Sequence, residues 1–518
     1  MIPLLFTYGI VSLFFSLSRK ITTYVILIGI VAVCIEESYI GILQLTGYRL
    51  SNHSLYAVTG SFLNPGMYGG ALSVCESILM AFYLGNRNRK KERIFEKIFL
   101  TLVFFTAALV ICVLPSSQSR SSWFALCGSL LLLAFGSEDI RVKIKSINKK
   151  YYVCFITIAA LFISGAYLFK KPSADGRLFM DKMSIKTMCE NGIHGAGLKR
   201  FGAAYAETQS HYFKKQIDDY GNDDLDWTAI SPKERIMADC PNNSFNEYLS
   251  IGVEAGPIAM FFFIITLVAA IFFSYKRRTI WCYGLLNFAL LCLFSYPLHI
   301  IALQIMFTIL LAACIWDGNT TKRSKIVGIA SSVLVLLVAL TIYVSNRSDL
   351  IRQKHAESEW KRVDGWHKMG YYDYVIMAGD TLLPYLKNDF HFLFAYGQSL
   401  NKMGYYDKSD SILKMGTELS GDPMFWNVMG NNSLAKGDYL EAEKRYKHAF
   451  YIVPNRMYPL YLLAKLYNTE KDTLKFLKMA GSVETFIPKV ESGQIDLLRM
   501  EIRQLKDNYI PEIELRYD

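Results

Sequence analysis

Apolar residues fall along this chain in long runs and not in strand-like alternation. Runs that could carry a helix across about 30 Å of hydrocarbon stand near residues 2–17, 21–47, 66–85, 98–115, 122–136, 151–169, 248–273, 279–296, 298–316 and 325–345. The second is interrupted by Glu36 and Glu37. The pattern predicts an all-α fold: a polytopic membrane helix bundle of about ten spans over residues 1–346. Two polar stretches break it. Residues 171–246 form an insert between the sixth and seventh runs, which predicts a large loop on one face of the bilayer. Residues 347–518 lie beyond the last run. The first run begins at Met1 with no basic flank and no cleavage pattern, which leaves an unusual start and missing upstream helices both open.

The polar tail has a period. KMGYYDYV, KMGYYDKSDSIL and AKGDYLEAEKRY place Gly370, Gly404 and Gly437 at intervals of 34 and 33 residues, and Pro384, Pro423 and Pro454 follow a similar spacing. That period predicts a soluble α-solenoid of tetratricopeptide repeats, each Gly letting two helices meet closely and each Pro ending a second helix. Residues 470–518 are expected to add a closing helix. Such a surface suits a protein or glycan partner; a stability cap is the plainer use.

Lys and Arg set an orientation. Alternate loops carry Arg19 and Lys20, then the basic stretch at 86–97, then RVKIKSINKK at 141–150, then Lys276 to Arg278, then Lys322, Arg323 and Lys325; the intervening loops are nearly bare, with Arg49 and Arg120 as exceptions. The basic set belongs in the cytoplasm. By parity the insert and everything after residue 346 are expected outside.

Composition agrees with a mixed chain, 52% apolar yet 19% charged. The net charge of +11 does not point to nucleic acid, because the basic residues sit in short loops between apolar runs. Eight of ten cysteines lie within those runs, as small buried filler; Cys189 and Cys240 are the pair in the insert and a candidate disulfide. No CxxC or His/Cys cluster has metal-ligand spacing, so neither a metal nor another cofactor is expected.

Four segments stand in order: CIEESYIGILQLTGYRL to AVTGSFLNPGMYGGAL (34–72), PSSQSRSSWFAL (115–126), ADGRLFMDKMSIKTMCENGIHGAGLKRFGAAY (174–205) and SFNEYLSIGVEAGPIAMFFF (244–263). Together they resemble the bacterial O-antigen ligase and polymerase family, over roughly residues 30–315, with the large external loop in the family's place. The carboxy-terminal repeats also resemble an arrangement seen in some members. The resemblance implies transfer of a glycan from a polyprenyl-diphosphate lipid to an acceptor glycan or lipid A core, at the periplasmic face of the inner membrane. Polymerase and protein O-oligosaccharyltransferase activities are its other versions.

That chemistry asks for specific groups. A diphosphate leaving group concentrates negative charge, which Arg meets with a planar, bidentate fork. Arg120 is almost the only charge in its short external loop and falls on the family's SR element; its competing role is a snorkelling lipid anchor. Arg177 falls on the GR element, with an ion pair to Asp175 or Asp181 as the alternative. Arg200, in GLKRF, is a weaker substrate contact. Gly195 and Gly197 match a GxG turn whose amides would face phosphate, unless the turn is simply tight.

The acceptor hydroxyl needs a base, and here the chain departs from the family. Ligase members carry a His before the Asn of an HN-x-x-L junction; the matching segment is Phe245-Asn246-Glu247-Tyr248-Leu249, and Phe cannot accept a proton. Glu247 is the preferred substitute, with Asn246 beside it as a substrate contact; a charge favoured by the helix dipole is its plainer role. His211 and His194 are alternatives, His211 also as a substrate contact. Glu254 is a candidate as an ionisable group in an apolar helix. Two other classes stay open: a transporter, against which no inverted repeat of broken helices is seen, and a non-catalytic scaffold presenting the repeats.

Overall fold

The computed structural model describes residues 2–87, 93–136, 165, 171–218, 225–318 and 321–507. Among these residues regular structure is helical, with no strand. The chain divides into two compact units: Met1–Lys171, Phe245–Tyr248 and Ala259–Asn346 form one, and Pro172–Ser244, Leu249–Ile258 and Arg347–Asp518 form the other.

The first unit holds α1 (Ile2–Leu17), α2 (Arg19–Leu45), α3 (Pro65–Asn86), α4 (Ile94–Val113) and α5 (Arg120–Gly136). The insert supplies α6 (Lys171–Glu190), α7 (Phe201–Asp218) and α8 (Pro232–Met237), followed by α9 (Glu247–Ala255), α10 (Pro257–Lys276), α11 (Trp281–Cys292), α12 (Ile301–Trp316) and α13 (Lys322–Lys368). By length and composition, α2, α3, α4 with its short continuation to Ser117, α10 and α13 can cross a membrane; α1, α5, α11 and α12 are apolar but shorter. The expected run at 151–169 lies outside the described residues. Two other runs differ from expectation. The 248–273 run is broken at Gly256, whose φ of +88° is followed by Pro257 at the start of α10. The last run is the first half of a 47-residue helix reaching Lys368.

Lipid offers no hydrophobic reason for one apolar helix to prefer another, so association relies on close approach and hydrogen bonds. α3 supplies both. Gly69 admits Ser117, Ser119 and Ser122, Gly70 admits Leu291, and Asn287 of α11 donates to the Ser73 carbonyl (3.0 Å) and Ser77 Oγ (2.9 Å). Ser77 in turn meets Ser129 of α5 at 2.7 Å. Replacing Asn287 with leucine keeps the volume but removes both donated hydrogen bonds across the α3–α11 contact. It is expected to cost about 1–3 kcal/mol, read from unfolding of the detergent-solubilised protein. Glu37, which interrupts the second run, is satisfied: its carboxylate accepts from the Ser61 amide (3.0 Å) and hydroxyl, folding the 46–64 loop back onto α2.

In the second unit the tail forms α14 (Tyr372–Leu386), α15 (Phe390–Lys402), α16 (Tyr406–Thr417), α17 (Met424–Ala435), α18 (Tyr439–Ile452), α19 (Tyr458–Glu470), α20 (Thr473–Thr485) and α21 (Gly493–Asp507), each packed on the next. The periodic glycines play a different part from the one expected. Gly370, Gly404 and Gly437 have φ near +80° at helix ends, and a Cβ on any of them would meet open space. They are left-handed caps. Close approach is made by Gly379, Gly397, Gly416 and Gly430, which admit Tyr396, Leu413, Phe425 and Tyr446. Pro384 lies inside α14 instead of ending a helix.

The insert is not a free loop. α7 packs on α18, with Ala206 buried against Ile452 and Val453. Asn455 donates to the carbonyls of Arg235 (3.0 Å) and Ala238 (2.7 Å), and Arg235 donates to the Ile487 carbonyl at 2.9 Å. Cys189 and Cys240 are both free thiols, so the disulfide is absent. Cys240 instead accepts from Arg456 at 3.3 Å, and burial pushes its thiol up to about 11.

Candidate functional site

The polar residues nearest the expected chemistry gather at the head of α9. Asn246 caps it, its side-chain oxygen accepting from the Tyr248 amide at 3.1 Å. The Tyr248 hydroxyl donates to the Ala289 carbonyl at 2.8 Å, fixing the start of α9 against α11. Glu247 is thereby turned inward, 1% exposed, where its Oε1 accepts from the Leu298 amide at 2.6 Å and lies 3.2 Å from His299 Nδ1. The His299 side chain is 31% exposed. A buried carboxylate behind a partly exposed imidazole fixes the ring's tautomer and orientation. Phe245 meets Tyr296 edge to face, ring centroids 5.3 Å apart, and Asn64 reaches the Tyr296 hydroxyl at 3.5 Å while capping α3 through the Gly66 amide.

Arg120 belongs to the same end of this unit. The chain enters α5 through Gln118, whose φ is +50°, and a knot of buried serines, with Ser119 and Ser122 hydroxyls 2.6 Å apart. Gly69 lies under this knot, one turn from the Asn64 cap. On its other side Phe124 packs edge on against Phe294, at 5.2 Å, just before Tyr296. Arg120 itself is half-buried at the first position of α5. A cation at a helix amino terminus opposes the dipole by about 0.3–1 kcal/mol.

The remaining candidates sit in the second unit. Arg177 lies on α6, one turn before Asp181, whose carboxyl burial raises to about 6 against the lowering effect of Arg177. A raised acid costs stability above its unfolded value, and the cost is complete once the pH exceeds the folded value. Asp181→Asn is therefore expected to raise the melting temperature at pH 7.5, equivalent to about 1–2 kcal/mol after solvent screening. The gain should vanish near pH 4, and melting curves at the two pH values check it.

Arg200 is exposed and paired with Glu418 at 2.9 Å. Gly195 (φ +70°) and Gly197 (φ +102°) form a turn that donates two amides to α9: Ala196 to Val253 (2.8 Å) and Gly197 to Glu254 (2.9 Å). The turn caps the last carbonyls of α9, which leaves those two amides no part in holding phosphate. His211 is exposed beside Glu207 at 3.1 Å, and His194 lies in an exposed 3-10 turn. Glu254 is half-buried near the end of α9.

Arg120, Asn246 and Glu247 thus share one unit, and Arg177, Arg200, Gly195, Gly197 and His211 share the other. His299 was missed because Tyr296-Pro297 reads as a plain corner between two apolar runs; the polar tip of that corner was the available signal. Glu76 was missed too, a fully buried carboxyl on α3 with no hydrogen-bond partner among the described residues. No group of three His, Cys, Asp or Glu among the described residues could hold a metal. Compared with protein-family models and with curated proteins, the chain matches none of either.

Proposed function

We propose that this protein transfers a glycan from a polyprenyl-diphosphate carrier to an acceptor glycan or lipid A core, at the periplasmic face of a bacterial inner membrane. The observation that carries the reading is a convergence. A cation (Arg120), a carboxylate (Glu247) and an imidazole (His299), drawn from distant parts of the sequence, lie at one end of an apolar helix layer. Lipid-linked diphosphate chemistry needs positive charge and a proton acceptor at that kind of boundary. The insert and the tail fold as one unit, which supports placing both on the same side of the membrane. The tail, with a left-handed glycine at 370, 404 and 437 and helices packed in sequence, fits a tetratricopeptide solenoid that would bind a protein partner.

The test is the banding of surface polysaccharide from a deletion strain. A ligase defect leaves lipid-linked polymer of normal length, and a polymerase defect leaves single repeat units. Unchanged banding would overturn the reading. Should removal of residues 357–518 alone reproduce the deletion while Arg120→Ala behaves as wild type, scaffolding would be the function instead.

A further inference from the structure

We propose that His299 is the general base of this transfer and that Glu247 is its positioning residue; the inference rests on the function proposed above. Glu247, chosen from sequence as the base, is poorly placed for that role. At 1% exposure it already accepts from the Leu298 amide and stands against His299 Nδ1, so an incoming hydroxyl meets the ring before it meets the carboxylate.

The geometry assigns each atom a task. Nδ1 donates its proton toward Glu247 Oε1 across 3.2 Å, which makes Nε2 the nitrogen that carries the lone pair. The acceptor hydroxyl gives its proton to Nε2 as its oxygen bonds to the anomeric carbon. The bond from that carbon to the diphosphate oxygen breaks, its electron pair leaves on the diphosphate, and cationic groups stabilise the departing charge. The imidazolium formed is stabilised by the buried carboxylate behind it. Two features keep the ring in place. The Leu298 amide fastens the 296–300 turn to Glu247, and Gln304 holds the Leu298 carbonyl from the other side. Tyr296, between Phe245 and His299 with centroids 5.3 and 6.4 Å from them, forms the adjoining wall.

The test uses membranes from the deletion strain expressing each full-length variant, with the strain's own lipid-linked glycan and acceptor as substrates. His299→Ala is expected to be about 10²–10⁴-fold slower per folded protein in the membrane, with part of the rate restored by added imidazole. Glu247→Gln should be slowed less, and the Glu247→Gln, His299→Ala double variant should be no slower than His299→Ala alone, because the carboxylate acts through the ring. A His299→Ala protein with the wild-type rate, or with a loss that imidazole leaves unchanged, would overturn the assignment while the transferase reading stood. Equal product from membranes with and without the wild-type protein would instead sink the transferase reading itself.

Discussion

Replacing Arg120 with alanine is expected to remove surface glycan transfer, lowering the rate by about 10²–10³-fold, while the protein still accumulates and folds. The two halves of that expectation have separate causes. For the fold, the cation stands at the first position of α5, where the helix dipole disfavours it, and the serine knot beneath it is made by its neighbours. The chemistry does need it, because a diphosphate leaves only as fast as its developing charge is met. Arg120→Lys is the informative companion. Lysine keeps the charge and loses the bidentate fork, so it should recover a fraction of the rate; full recovery would mean that charge alone suffices. Complementation banding of the deletion strain, read beside membrane abundance, checks all three proteins. Wild-type banding from Arg120→Ala would remove this residue from the reaction.

The second large effect is structural. Gly256→Ala is expected to cost at least about 3–4 kcal/mol, because the added Cβ would overlap the Ile193 carbonyl at a φ of +88°. The obstacle is backbone, and no side chain can swing aside. Gly195 faces it from the opposite strand of the turn, where a Cβ would lie 2.6 Å from the Glu254 carbonyl oxygen. Gly404→Ala is the control. Its φ of +83° imposes the same left-handed strain, but the space around it is open, so only about 1–2 kcal/mol should be lost. Unfolding of the two purified variants in one detergent separates strain from overlap, and equal losses would contradict the close packing of the two turns.

Much of the architecture was readable from residue pattern. The runs read at 2–17, 66–85 and 298–316 need only length and apolarity, and capping or breaking residues such as Asn64-Pro65 mark an edge within a residue or two. The 34-residue period in the tail was equally plain, since similar units must repeat similar contacts. The pattern failed where one residue type serves two purposes. Gly404 caps and Gly397 packs, and a period counts both alike. Likewise Glu247 was visible as a charge at a helix start, but whether such a charge faces water or the interior depends on what covers it.

The sequence alone determined that the chain is helical, that several of its stretches are apolar enough to cross a membrane, and where the polar insert and tail begin, because these follow from local composition and from spacing along the chain. Only the tertiary structure decided that the insert folds with the tail, that the HGAG turn gives two amides to α9, and that His299 stands against Glu247. Those facts depend on contacts between residues dozens to hundreds of positions apart. Such contacts are selected by shape and hydrogen-bond satisfaction in three dimensions, and no window of sequence encodes them.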